Sequence, residues 1–130
     1  MINNYASVET YNGIKRQKYN SENLNQSFEN KSWVKFLLQE GNGGLFITEF
    51  VERYPNFVLK LETLIPDLNS MDFKICALMR LDFFTKEIAE LTYSTVRAVE
   101  SRKYRIRKKI GVESHIDLNL YMVQLIKEDY

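Results

Sequence analysis

One cysteine, one histidine and two prolines are all that this 130-residue chain has of those three residue types, and each scarcity removes possibilities. Cys76 alone can close no internal disulfide and build no cysteine-based zinc cage. It falls on the apolar face of a predicted helix and reads as a core residue. His115 alone brings no second imidazole, and the sequence holds no glycine-rich phosphate loop, metal-ligand cluster or nucleophile–base set. The chain is therefore expected not to be an enzyme and to need no cofactor or metal. No apolar run approaches the roughly 20 residues that span a bilayer. Met1-Ile2-Asn3-Asn4-Tyr5 has neither a basic cluster nor an apolar core, so no secretory signal is expected there. These absences predict a cytoplasmic protein with no membrane partner. With only five glycines, the chain has few breakers, and its many Leu, Glu and Lys residues favour helix over strand.

Hydrophobic residues make up 45% and charged residues 27%, the composition of a globular domain. A chain of this length buries roughly two-thirds of its unfolded surface, enough for a real core. Net charge is +1, but its distribution is uneven. Between Arg97 and Lys109 lie seven basic residues and a single acid, Glu100, a local charge of +6 that leaves −5 on the rest. Positive charge gathered in so short a segment fits a polyanionic partner, and on charge alone it fits a solvated basic helix face equally well.

Residues 1–30 are polar and asparagine-rich without a sustained period, and read as a loosely ordered arm. From 31 to 66 short amphipathic helices are predicted. The first, about Lys31 to Glu40, places Trp33, Phe36 and Leu37 at i, i+3, i+4. A second has Phe46, Phe50 and Val51 on one face and is interrupted by Pro55. A third has Phe57, Leu61, Leu64 and Ile65 facing inward until Pro66. Trp33, Phe36, Phe46 and Phe50 read as a small helical core.

Four more helices are predicted over 67–130. Asn69 caps one bearing Phe73, Ile75, Cys76, Leu78 and Met79, with Asp72 in its first turn. Thr85 is expected to cap a short helix with Ile88, Ala89 and Leu91. Thr95 caps a longer one that runs to about Ile110, where Gly111 fits the left-handed closing residue. Ser114-His115-Ile116-Asp117 reads as a capping box before Leu118, Tyr121, Met122 and Leu125 at i, i+3, i+4, i+7. The fold class is all-α.

Thr85 to Glu100 thus spell a short helix, a tight turn and a second capped helix, a corner whose second member fits the major groove. That second helix has two faces. Val99, Ile106 and Ile110 recur at i, i+7, i+11 and are expected inside. Arg97, Ser101, Tyr104 and Lys108 form the opposite stripe, flanked by Glu100 and Arg105, while Arg107 lies off it. Cations mixed with short polar and aromatic groups suit a helix that touches both phosphates and base edges.

Lys86-Glu87-Ile88-Ala89, then Val99, Ile106 and Lys109-Ile110-Gly111-Val112, resemble the LuxR-type helix-turn-helix pattern at matching intervals. The run Tyr104-Arg105-Ile106-Arg107-Lys108-Lys109 is similar to the subgroup with arginine-rich recognition helices. The resemblance implies a four-helix domain of the winged-helix-like DNA-binding superfamily, preceded here by the short amphipathic helices. It implies sequence-specific binding of double-stranded DNA by a transcription regulator. Carried over by position, the recognition helix begins at Thr95. Glu100, Ser101 and Tyr104 would approach bases, and Arg97, Arg105 and Lys108 would meet phosphates. Glu100 would accept from a cytosine amino group. The family's last helix commonly pairs two domains, which implies a homodimer through Leu118, Tyr121, Met122 and Leu125.

The chain departs from the family pattern at three places. Ala98 stands where a threonine is usual, and Tyr93 stands in a turn that favours Gly or Asn. Phe83-Phe84 replaces a turn that usually contains glycine, which implies a covered surface. Those departures favour the other reading of the same scaffold, an interaction protein that binds RNA polymerase, a sigma factor or another regulator. The segment 31–66 is the expected contact for such a partner.

Overall fold

The computed structural model describes residues 31–126, so the polar arm expected over 1–30 lies outside the described residues. The chain divides into two units, with the division between Val34 and Lys35. Among the described residues there are seven helices and no strand. They are α1 (31–39), α2 (Gly43–Arg53), α3 (Pro55–Leu64), α4 (Ser70–Arg80), α5 (Thr85–Leu91), α6 (Val96–Ile110) and α7 (Leu118–Val123). Every helix from α2 onward belongs to the second unit. None of the seven is long and apolar enough to cross a membrane.

Four left-handed residues end four of these helices in the same way. Gly41, Asp82, Tyr93 and Gly111 have φ of 78°, 66°, 56° and 84°. In each case the next residue's amide reaches back to the helix: Asn42 to the Leu37 carbonyl, Phe83 to Leu78, Ser94 to Ala89 and Val112 to Arg107, at 2.9–3.0 Å. This closing bond satisfies a carbonyl that the helix end would otherwise leave open. Glycine takes the seat twice. Aspartate takes it after α4, so the left-handed turn ahead of Phe83-Phe84 needs no glycine.

The N-caps correct the expected ones in two places. Asn69 and Thr95 cap α4 and α6 as the sequence predicts, accepting from the amides of Asp72 at 2.8 Å and Ala98 at 3.0 Å. For α5, however, the cap position is Phe84, whose amide donates to Glu87 Oε1 at 2.8 Å, while Thr85 is already helical. For α7 the cap is Asp117, which accepts from the Leu120 amide at 3.1 Å. Ser114 lies three residues before that cap, too early to serve the first turn of α7.

Two inward faces also differ from their predicted ones. In α1 the buried positions are Val34 and Leu38, whereas Phe36 is 64% exposed. Phe36 lies two positions beyond Val34, about 200° around the helix, so side-chain size misled the register. In α2 Phe46 and Phe50 are buried but Val51 is exposed. Phe50 sits among four rings, 6.0 Å from Phe46, 4.8 Å from Tyr54, 5.8 Å from Phe57 and 6.0 Å from Phe73. Its edge-on contact with Phe73 and the Arg80 guanidinium 4.8 Å over the Tyr54 ring join α2 and α3 to α4. These contacts tie the segment before residue 66 to the helix that follows it.

The centre of the second unit is α4, in which Ile75, Cys76, Ala77, Leu78 and Met79 are consecutively buried. A helix buried on all sides belongs in a core. It packs against α7 and α6, and α5 packs against α6. The side-chain amide of Asn119, at the start of α7, donates to the Phe83 carbonyl at 2.8 Å and fastens the last helix to the start of α5.

Candidate nucleic-acid interface

Four residues separate α5 from α6, and each has an identifiable task. The Thr92 hydroxyl donates to the Ile88 carbonyl at 2.7 Å, Tyr93 takes the left-handed turn, Ser94 makes the closing bond and Thr95 caps α6. The Tyr93 side chain is 75% exposed, and its hydroxyl lies 3.4 Å from the Gln39 carbonyl and 3.5 Å from that of Leu38. The corner between the two helices is thus fixed by backbone closure on one side and a helix cap on the other.

On α6, Val99 and Ile106 are fully buried, and Ile110, expected to be as well, is half-buried. Thr95, Arg97, Glu100, Ser101, Tyr104, Arg105 and Lys108 are all exposed. From Arg97 to Lys108 the stripe at i, i+4, i+7, i+11 lies opposite the Val99–Ile106 stripe, with Glu100 and Arg105 on its margins. Tyr104 is 60% exposed, and the Lys108 ammonium lies 5.3 Å from its ring centroid. That spacing suits a cation–π contact, which holds both side chains on the outward face.

The seven cations of α6 fall into two sets. Four are engaged within the chain. Arg102 Nη1 donates to Asp72 Oδ1 at 2.8 Å, and Lys103 Nζ donates to the Thr85 hydroxyl at 3.0 Å. Arg107 Nη1 donates to the carbonyls of Glu113 and Ile116 at 2.9 and 2.6 Å, and Lys109 pairs with Asp67 at 3.4 Å. Burial pulls the Lys103 ammonium below its ordinary pKa, opposed by the Asp117 carboxylate. The other three, Arg97, Arg105 and Lys108, have no ion pair or hydrogen bond among the described residues. They are the three that the resemblance implies for phosphates.

Charge counting along the sequence misses this division, but the helical wheel carries a signal for it. Arg102 and Lys103 fall beside the Val99–Ile106 stripe rather than opposite it, so their stems run along the core margin. Asp72 is buried and Thr85 half-buried, at the first turns of α4 and α5.

The expected dimer face stands differently. Leu118, Met122 and Leu125 are buried within this chain, and only Tyr121 keeps accessible surface. Among the described residues no group of three or more metal-ligating side chains occurs. Compared with family models, curated proteins and solved structures, the chain matches none of them.

Proposed function

We propose that α5 and α6 form a helix-turn-helix of the LuxR type that binds double-stranded DNA, with α6 in the major groove, and that the protein regulates transcription. The observation that carries this reading is the sorting of charge on α6. Every cation of α6 that has no ion pair or hydrogen bond among the described residues lies on one exposed face with Glu100, Ser101 and Tyr104, and the core lies behind it. A solvated helix face has no need to separate its cations in this way. A groove reader needs phosphate contacts for register and shorter polar groups for bases.

The test is a titration on random-sequence duplex at several salt concentrations. Three phosphate contacts release counterions so that log affinity falls against log salt by about 0.9 per contact, or about 2.7 per domain. Replacing Arg97, Arg105 or Lys108 with alanine lowers that slope by about one unit each. A parent protein without salt-dependent affinity near physiological ionic strength overturns the proposal.

A second reading is favoured by Phe84 and Tyr93, two aromatic residues 62% and 75% exposed at the two ends of α5. Large exposed rings suit a protein partner. On this reading the scaffold binds RNA polymerase, a sigma factor or another regulator, and the α6 cations meet an acidic protein surface. Loss of duplex binding with retained binding to such a partner selects it.

A further inference from the structure

The Arg97–Lys108 stripe can read a groove only if α6 is held at a fixed roll about its axis, and the apolar stripe alone does not fix that roll. Val99 and Ile106 lie in one line, and a helix seated on one line of side chains can rock about it. The two consecutive residues between them, Arg102 and Lys103, leave the helix on opposite flanks of that line. Arg102 reaches Asp72 at 2.8 Å, in the first turn of α4, and Lys103 reaches the Thr85 hydroxyl at 3.0 Å, in the first turn of α5. One tether on each flank removes the freedom to rock.

Both anchors are themselves held. Asp72 is buried, its amide is bonded to the Asn69 side chain, and it belongs to the most deeply buried helix of the unit. Thr85 opens α5, whose other end is joined to α6 by the left-handed turn at Tyr93. The Lys103 tether therefore closes a triangle of α5, the turn and the first half of α6. A swing of Arg102 toward a phosphate would leave the Asp72 carboxylate buried without its counter-charge, an unfavourable exchange.

We propose that Arg102 and Lys103 are positioning residues that set the roll of the recognition helix through Asp72 and Thr85 and touch no DNA phosphate. The proposal rests on the DNA-binding reading above. It separates two properties that a recognition-helix cation would ordinarily combine. Loss of a phosphate contact weakens binding to every duplex and flattens the salt slope. Loss of a tether leaves the phosphate contacts in number and blurs the fit of Glu100, Ser101 and Tyr104 to base edges.

The experiment uses the full chain. A preferred duplex is recovered by selection from a random pool, and affinities for it and for random duplex are measured across a salt series. The variants are Lys103→Met, Arg102→Lys and Asp72→Asn, each first checked by thermal melting. Lys103→Met is expected to keep the parent's salt slope and its affinity for random duplex, while its preference for the selected duplex falls about tenfold. Arg102→Lys, which keeps the charge and changes the geometry, is expected to show the same pattern to a smaller degree. If Asp72→Asn fails to fold, the two cation variants decide alone. A slope flattened by about 0.9 in Lys103→Met assigns that side chain to a phosphate and overturns the proposal. An unchanged preference in both folded cation variants also overturns it, leaving the tethers a role in stability only. A parent with no salt-dependent duplex binding is a different result, because it removes the DNA-binding reading itself and the positioning role with it.

Discussion

Arg107 and Ile116 are joined across the loop between α6 and α7, with Arg107 Nη1 donating to the Ile116 carbonyl at 2.6 Å. The same nitrogen donates to the Glu113 carbonyl at 2.9 Å, so one guanidinium gathers the whole loop. Its place off the outward stripe would make Arg107 the least consequential cation of α6, yet this contact gives it a structural part. Hydrogen bonds to a charged donor contribute about 1.5–3 kcal/mol, less where water competes. Arg107→Ala is expected to lower stability by about 1–2 kcal/mol on that scale. A thermal melt detects the loss, and the DNA salt slope stays that of the parent.

Ile106 tests the register of α6. It is fully buried against the rest of the unit, whereas Ile110, one turn on, is half-buried. Cutting a buried isoleucine to alanine removes its transfer energy and leaves a cavity, about 2–5 kcal/mol together. Ile106→Ala should fall in that range in a denaturant titration, and Ile110→Ala well below it. Equal costs at the two positions would mean that the helix is rotated from the orientation described.

The left-handed turn at Tyr93 makes a prediction in which the signs differ. A non-glycine residue at positive φ costs roughly 1–2 kcal/mol, least for asparagine. The hydroxyl contacts at 3.4 and 3.5 Å are long and offset little of this. Tyr93→Asn is expected to raise the melting temperature and Tyr93→Val to lower it, because a β-branched residue crowds the left-handed backbone. A melt in which both variants fall alike would show that the tyrosine ring, not the backbone, holds the turn.

These residues also show what the sequence could and could not convey. The opposition of Val99 and Ile106 to Arg97, Ser101, Tyr104 and Lys108 was legible because a helix repeats every 3.6 residues, so one stripe implies the other. The caps at Asn69 and Thr95 were legible because they are local bonds between a side chain and a nearby amide. The partners of Arg102 and Lys103 were not, being 30 and 18 residues away. Without them, the helical wheel sets Arg102 and Lys103 beside the core but leaves their partners unnamed. Phe36 and Phe83 make the same point for the core. Phe83 is fully buried and Phe36 exposed, and the tertiary packing distinguishes the two phenylalanines.

Cys76 links stability to pH. Burial, with the nearby Asp72 carboxylate second, pushes its thiol from an ordinary 9.0 up to about 12. The unfolded chain loses this proton near the lower value, while the folded chain keeps it. Between about pH 9 and 12 the folded state binds more protons, so its stability falls as pH rises through that window. Cys76→Ala removes this contribution, along with some packing. The difference in stability between parent and variant should therefore shrink from about pH 8 to about pH 10.5 in denaturant titrations. A thiol reagent should modify the parent only as fast as the chain opens.

Glu100, Ser101 and Tyr104 carry the prediction that bears on sequence preference. All three are exposed on the face with Arg97, Arg105 and Lys108, yet none is cationic, so none contributes to counterion release. On the proposed reading their contacts are to base edges, where a well-made contact discriminates by about 1–3 kcal/mol. Glu100→Ala and Ser101→Ala should therefore relax preference at particular base pairs while leaving the salt slope near that of the parent. Glu100→Ala has a second signature. Its carboxylate repels phosphates wherever it is not accepting from a cytosine amino group, so its removal should raise affinity for random duplex while lowering preference for the selected one. Tyr104 behaves differently, because its ring also holds the Lys108 ammonium at 5.3 Å. Tyr104→Phe keeps that ring and should leave the slope intact, whereas Tyr104→Ala frees Lys108 and should weaken binding to all duplexes as well. Variants at all three positions that weaken every duplex equally, with preference unchanged, would assign this face to the DNA backbone alone.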